Sequence, residues 1–124
     1  MRYLLDSHVV IWAVGNSLQL SDKVRAILAA PANLYISIAS LWEIAIKCNM
    51  GKLELPKDFD ARLAKSDVHI LPIGMEHIRM LATLDNWHRD PFDRMIIAQA
   101  KYEHLTLITD DKMLAKYDIR VIAV

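Results

Sequence analysis

The chain has 124 residues, 54% of them hydrophobic and 24% charged. That size predicts one domain over residues 1–124 with a core of its own, and that composition excludes intrinsic disorder. Fifteen basic residues balance fifteen acidic ones, so the strongly basic footprint of a nonspecific nucleic-acid binder is excluded.

The elements alternate along the chain. Residues 3–5 read as a short buried strand and 7–14 as a helix. A second helix starts at the cap Ser21 and runs to Pro31. "NLYIS" is a strand, followed by a helix over "IASLWEIAIKCNM" that stops at Gly51. After Pro56, residues 57–66 form an amphipathic helix and 68–73 a strand closed by Pro72 and Gly74. Residues 75–84 are helical and "DNWHRD" is a loop. Pro91 then opens a helix through residue 104, in the first position that proline favours. A strand over 105–109, a short helix over 110–117 and a strand over 120–124 complete the chain. The strands are short, continuous and apolar, which suits a parallel sheet covered on both faces. The predicted fold class is a three-layer α/β/α domain.

No apolar run reaches the length of a membrane span. Asp6 and His8 interrupt the apolar stretch at the start, so no signal peptide is expected. The single cysteine, Cys48, has no internal partner for a disulfide, in keeping with a reducing compartment. The expectation is a soluble, cytoplasmic protein.

Functional groups in open α/β sheets gather beyond the carboxyl ends of strands. Asp6 directly follows the first strand, and Asp110 and Asp111 directly follow the strand over 105–109. Glu43 sits early in the helix after "NLYIS", and Asp90 and Asp93 stand at the start of the helix that Pro91 opens. Each has an ordinary alternative. Asp6, Asp90 and Asp111 are placed to cap helices, and Glu43 forms an i,i+4 pair with Lys47. As a set they point to a site, because converging carboxylates repel one another unless a cation or protons neutralise them. A hard divalent ion, Mg²⁺ or Mn²⁺, takes oxygen ligands and serves phosphodiester hydrolysis.

Lys47, Arg89, Arg94, Lys112 and Lys116 are basic residues near these acids, with Arg94 suited to bidentate phosphate contact. Ser7 and Thr109 bring hydroxyls beside the acids, to orient ligands or substrate or simply to serve as cap and turn residues. The five histidines lack HExxH or paired short spacing. His88, two residues before Asp90, is the one that merits a test, the alternative being a surface-loop side chain. Neither GxxxxGK[ST], GxGxxG nor GxSxG occurs, which leaves nucleotide-cradling loops and serine hydrolase chemistry without a motif.

Over nearly its whole length the chain resembles PIN-domain ribonucleases, specifically VapC-type toxins of type II toxin–antitoxin pairs. The resemblance is carried by "YLLDSHVVIW", "ISIASLWEIAIK", "HRDPFDRMIIAQA" and "LTLITDD". It implies a central parallel sheet of four or five strands and an acidic set at Asp6, Glu43, Asp93 and Asp111. Asp110 competes with Asp111 for the fourth position, and Asp90 either assists the site or only caps its helix. It further implies Mg²⁺ or Mn²⁺, an RNA substrate, a cognate antitoxin and a homodimer. Two alternatives from other classes are a receiver-like phosphoacceptor switch and a catalytically silent α/β interaction module.

Overall fold

In a computed structural model, residues 1–15 and 17–124 are described. Five strands form one parallel sheet: β1 (Tyr3–Leu5), β2 (Leu34–Ser37), β3 (His69–Leu71), β4 (Thr106–Thr109) and β5 (Val121–Ala123). Their spatial order is β3-β2-β1-β4-β5. The chain therefore walks outward from β1 to one edge, returns to the middle and walks outward from β4 to the other. The seam between β1 and β4 is where strand order reverses, the usual position of a ligand crevice in an open α/β sheet. A receiver-type domain has the order 2-1-3-4-5, so the scaffold of the phosphoacceptor alternative is not the one found here.

Six α-helices connect the strands among the described residues: α1 (Ser7–Val14), α2 (Asp22–Leu28), α3 (Ile38–Asn49), α4 (Phe59–Lys65), α5 (Met75–Ala82) and α6 (Pro91–Glu103). The side-chain period of two divides each strand between two cores. Leu4 and Leu107 join Leu84, Ile96, Ile97 and Tyr117 on one face. Leu5, Ile36 and Ile108 join Val9, Val10, Val24 and Phe59 on the other. Both faces are thus covered, which is why β1, β2 and β4 read as unbroken apolar runs.

Local sequence signals set several boundaries. Ser21 caps α2 by accepting from Val24 N at 3.3 Å. Gly51 follows α3 with φ 73°, the left-handed conformation that glycine adopts without steric cost. The helix expected over 110–117 is instead a 3₁₀ turn, Lys112–Tyr117. Its buried residues, Leu114 and Tyr117, are three apart, the period of a 3₁₀ helix, and Asp118 ends it at φ 54°. No described helix is long and apolar enough to cross a membrane.

Candidate active site

Parallel register builds the site from β1 and β4. Leu5 pairs with Ile108, and Asp6 N donates to Ile108 O at 3.1 Å, which sets Asp6 opposite Thr109. Thr109 Oγ1 donates to Asp6 Oδ2, while Asp6 Oδ1 accepts from Val9 N at 3.0 Å and caps α1. Both readings of Asp6 therefore hold at once: one oxygen starts the helix, and the carboxylate is buried at the seam. Burial pushes its pKa up to about 6, against the lowering effect of the Thr109 and Val9 hydrogen bonds, and the nearby Asp110 charge adds to the rise.

Thr109 has a second task. Its oxygen accepts from Asp111 N at 3.1 Å, turning the chain after β4. Asp111 then caps the 3₁₀ turn through Oδ1, which accepts from Met113 N at 2.9 Å. Its other oxygen lies 4.0 Å from His88 Nε2. Asp110 is exposed and turns the other way, to His8 Nδ1 at 3.1 Å. The neighbours are thus sorted by what they face: Asp111 toward His88 and Asp93, and Asp110 toward α1.

Glu43 arrives from α3. Ser37 ends β2 and caps that helix by accepting from Ala39 N at 3.0 Å. One and a half turns later Glu43 is buried, with Oε1 accepting from Ser7 Oγ at 2.5 Å and Oε2 paired to Lys47 Nζ at 3.1 Å. Asp93 arrives from the first turn of α6. Asp90 Oδ1 caps this helix by accepting from Phe92 N at 2.8 Å and Asp93 N at 3.1 Å. Packing brings the α6 N-terminus to the site, with Phe92 edge-on to Trp42 of α3. Burial raises the pKa of Asp93; the His88 hydrogen bond opposes the rise, and the charges of Asp90 and Glu43 add to it.

Thr109 thus links the Asp6 carboxylate to the Asp111 backbone and His88 stands between Asp93 and Asp111, while Glu43 bonds Ser7, the chain neighbour of Asp6, and its charge is felt at Asp93. Lys47 is the only lysine or arginine ion-paired to these four acids among the described residues. Arg94, the expected phosphate contact, has one of its guanidinium nitrogens engaged by the chain. Its Nη1 donates to Asp85 O at 2.9 Å and His88 O at 3.0 Å, so it braces the loop over residues 85–90. The alternative of His88 as a surface-loop side chain does not hold: it is half-buried, and Nε2 is 2.7 Å from Asp93 Oδ2. Its signal in the sequence was faint, because a histidine in a polar loop five residues before an acid has many uses.

The donor set suits a hard divalent cation. Oxygens predominate, and Asp6 is held above its usual range by burial with too little positive charge nearby to compensate. A separate cavity of about 690 Å³, lined in part by Arg2, Lys101, His104 and Arg120, opens at the amino ends of the strands, away from these acids.

The sequence pattern of the PIN domain matches residues 3–120. The chain belongs to the PIN domain family. The PIN fold is also what links it to solved structures. VapBC2 from Rickettsia felis, bound to a DNA fragment from their promoter, gives a TM-score of 0.75 at 16% identity, covering 99% of this chain and 98% of that one. FitAcB from Neisseria gonorrhoeae gives 0.69 at 23% identity, covering 97% and 96%. A toxin–antitoxin complex from Klebsiella pneumoniae gives 0.66 at 19% identity, covering 98% and 96%. At such identities the likeness is one of PIN fold. No curated protein sequence matches the chain.

Proposed function

We propose that this PIN domain is a metal-dependent endoribonuclease and the toxin of a VapC-type toxin–antitoxin pair. The observation that carries the reading is the convergence at the β1–β4 seam of Asp6, Asp93 and Asp111, tied through Thr109 and His88, with the buried Glu43 close enough for its charge to act on Asp93. Membership of the PIN family and fold likeness to VapBC and FitAcB complexes support it.

Asp6, Asp93 and Asp111 would hold the cation, Mg²⁺ or Mn²⁺. When bound, such an ion supplies positive charge to the phosphate and lowers the pKa of water. Asp6 contributes a carboxylate whose position is set by Val9 N and the Thr109 hydroxyl. Glu43, held by Ser7 and Lys47, is placed to accept a proton from the attacking water. Lys47, half-exposed at the rim, offers its ammonium to a phosphate oxygen. Hydrolysis joins the water oxygen to phosphorus, breaks the phosphorus–oxygen ester bond and delivers a proton to the departing oxygen. Asp90 and Arg94 act on shape, one starting α6 and the other bracing the loop.

The partners expected of such a toxin have surfaces to meet. Ile38, Trp42 and Ile46 form an exposed stripe at i, i+4, i+8 on α3, which suits a second copy in a homodimer. An apolar groove lined by Val10, Leu28 and Leu63 suits a helix of an antitoxin. The cytoplasm is the compartment where such a protein meets RNA.

The test is cleavage of an RNA transcript by purified wild type and Asp6→Asn. Wild type cuts with Mg²⁺ or Mn²⁺, stops in EDTA and resumes when the ion is restored, while the variant is silent. Equal cutting by Asp6→Asn, or cutting that persists in EDTA, removes the proposal.

A further inference from the structure

His88 stands between two of the acids. Its Nε2 is 2.7 Å from Asp93 Oδ2 and 4.0 Å from Asp111 Oδ2. Six-coordinate Mg²⁺ holds its ligands about 2.1 Å away, which puts neighbouring ligand atoms about 3.0 Å apart and opposite ones about 4.2 Å apart. Both observed separations lie within the span that two ligands of one such ion would cover. These three side chains form one compact group whose ligand atoms all lie within 4.8 Å of one another.

The main chain holds His88 in that place from two sides. Its N–H donates to Tyr117 Oη at 2.6 Å, and its carbonyl accepts from Arg94 Nη1 at 3.0 Å. Tyr117 lies on the 3₁₀ turn that Asp111 starts, and Arg94 is the neighbour of Asp93 on α6. The two elements that carry the acids therefore also position the histidine. Trp87 packs on the Tyr117 ring, with centroids 5.1 Å apart, and closes the loop over the turn.

The nitrogen chemistry fits as well. Without a cation Nε2 donates to Asp93; no protein group bonds His88 Nδ1 among the described residues, so the ring proton has that nitrogen to move to when a cation takes the Nε2 lone pair. His77, the histidine of the other carboxylate cluster, differs. Its Nδ1 accepts from Gly74 N at 2.9 Å, which commits Nε2 to donating toward Glu103.

We infer that His88 is a nitrogen ligand of the divalent cation, sharing it with Asp93 and Asp111; this rests on the metal-dependent reading above. The shell is then a mixed nitrogen–oxygen one. Imidazole suits transition ions and contributes little to Mg²⁺, so the site favours Mn²⁺ over Mg²⁺.

The experiment uses Mn²⁺ alone as probe on the full chain, with binding followed by calorimetry and the bound ion by pulsed electron paramagnetic resonance. Wild type is expected to show coupling of Mn²⁺ to a directly bound nitrogen. Its pattern changes when the protein is made with ¹⁵N-histidine, a measurement that needs no variant to fold. His88→Gln, checked for fold by circular dichroism, is expected to lose the coupling. It should bind Mn²⁺ about tenfold or more weakly, with a smaller change for Mg²⁺. Mn²⁺ binding without a histidine nitrogen signal, or a signal that survives in His88→Gln, overturns the inference and leaves the nuclease reading standing. Wild type that binds no Mn²⁺ overturns both.

Discussion

Thr109 donates its hydroxyl proton to Asp6 across the seam between β1 and β4, and the same oxygen accepts the amide of Asp111. One hydroxyl thus ties the carboxylate that ends β1 to the backbone of the acid that follows β4. Thr109 is fully buried and its bond to Asp6 is a buried one, so that bond has no water as a substitute.

Thr109→Val keeps the shape and removes the oxygen. The buried Asp6 carboxylate loses a partner, at about 1–3 kcal/mol, and the part-buried Asp111 amide loses its own. Urea unfolding should show that loss, and RNA cleavage should fall by about tenfold or more as Asp6 loses its anchor. Thr109→Ser, which retains the hydroxyl, should keep most of both. A valine variant as stable and active as wild type would remove this hydroxyl from the site.

Asp6 also predicts a pH dependence in metal-free protein. Its pKa is about 6 in the fold against a usual value of 3.8. Between those values the folded state binds more protons than the unfolded state. Stability is therefore fully retained below about pH 4 and declines as pH rises through 6, by about 3 kcal/mol from this group. The raised Asp93 acts in the same direction. Denaturant titrations in EDTA at pH 4.5 and 7.5 should show the decline, smaller in Asp6→Asn. An equal decline in the variant would contradict the assignment.

Asp90 distinguishes capping from ligation. Its Oδ1 meets two amides at the start of α6. Asp90→Ala should cost about 0.5–2 kcal/mol of stability, whereas Asp90→Ser should restore the cap. If Asp90 only caps, the serine variant cuts RNA at close to the wild-type rate. Wild-type stability with abolished cleavage in that variant would place Asp90 among the ligands.

Tyr117→Phe removes the acceptor of the His88 amide with little change of volume. A stability loss of about 0.5–1.5 kcal/mol is expected. Weaker Mn²⁺ binding by calorimetry should accompany it, because the loop that presents His88 loses one of its two braces. Unchanged affinity would show that Arg94 alone holds the loop.

Much of the fold is legible along the chain because its signals are local. The caps at Ser21 and Asp90, the turn at Gly51 and the apolar runs of β1, β2 and β4 depend on residues within a few positions of one another. The apparent helix over 110–117 shows the limit, since the i,i+3 spacing of Leu114 and Tyr117 fits a 3₁₀ turn as well as an α-helix. That acids stand at the ends of β1 and β4 was legible for the same local reason, since the continuous apolarity of those strands marks them as central, but Asp110 and Asp111 were equally legible there.

The sequence by itself determined the alternation of strands and helices and the parallel sheet, because periodicity and capping are short-range properties. Only the tertiary structure decided which way each side chain faces. Asp111 turns toward the acids while Asp110 turns toward His8, and Arg94 braces a loop. His88 comes to rest between Asp93 and Asp111. These placements follow from β1–β4 register and from the packing of α6 on α3, contacts between residues that the chain keeps far apart.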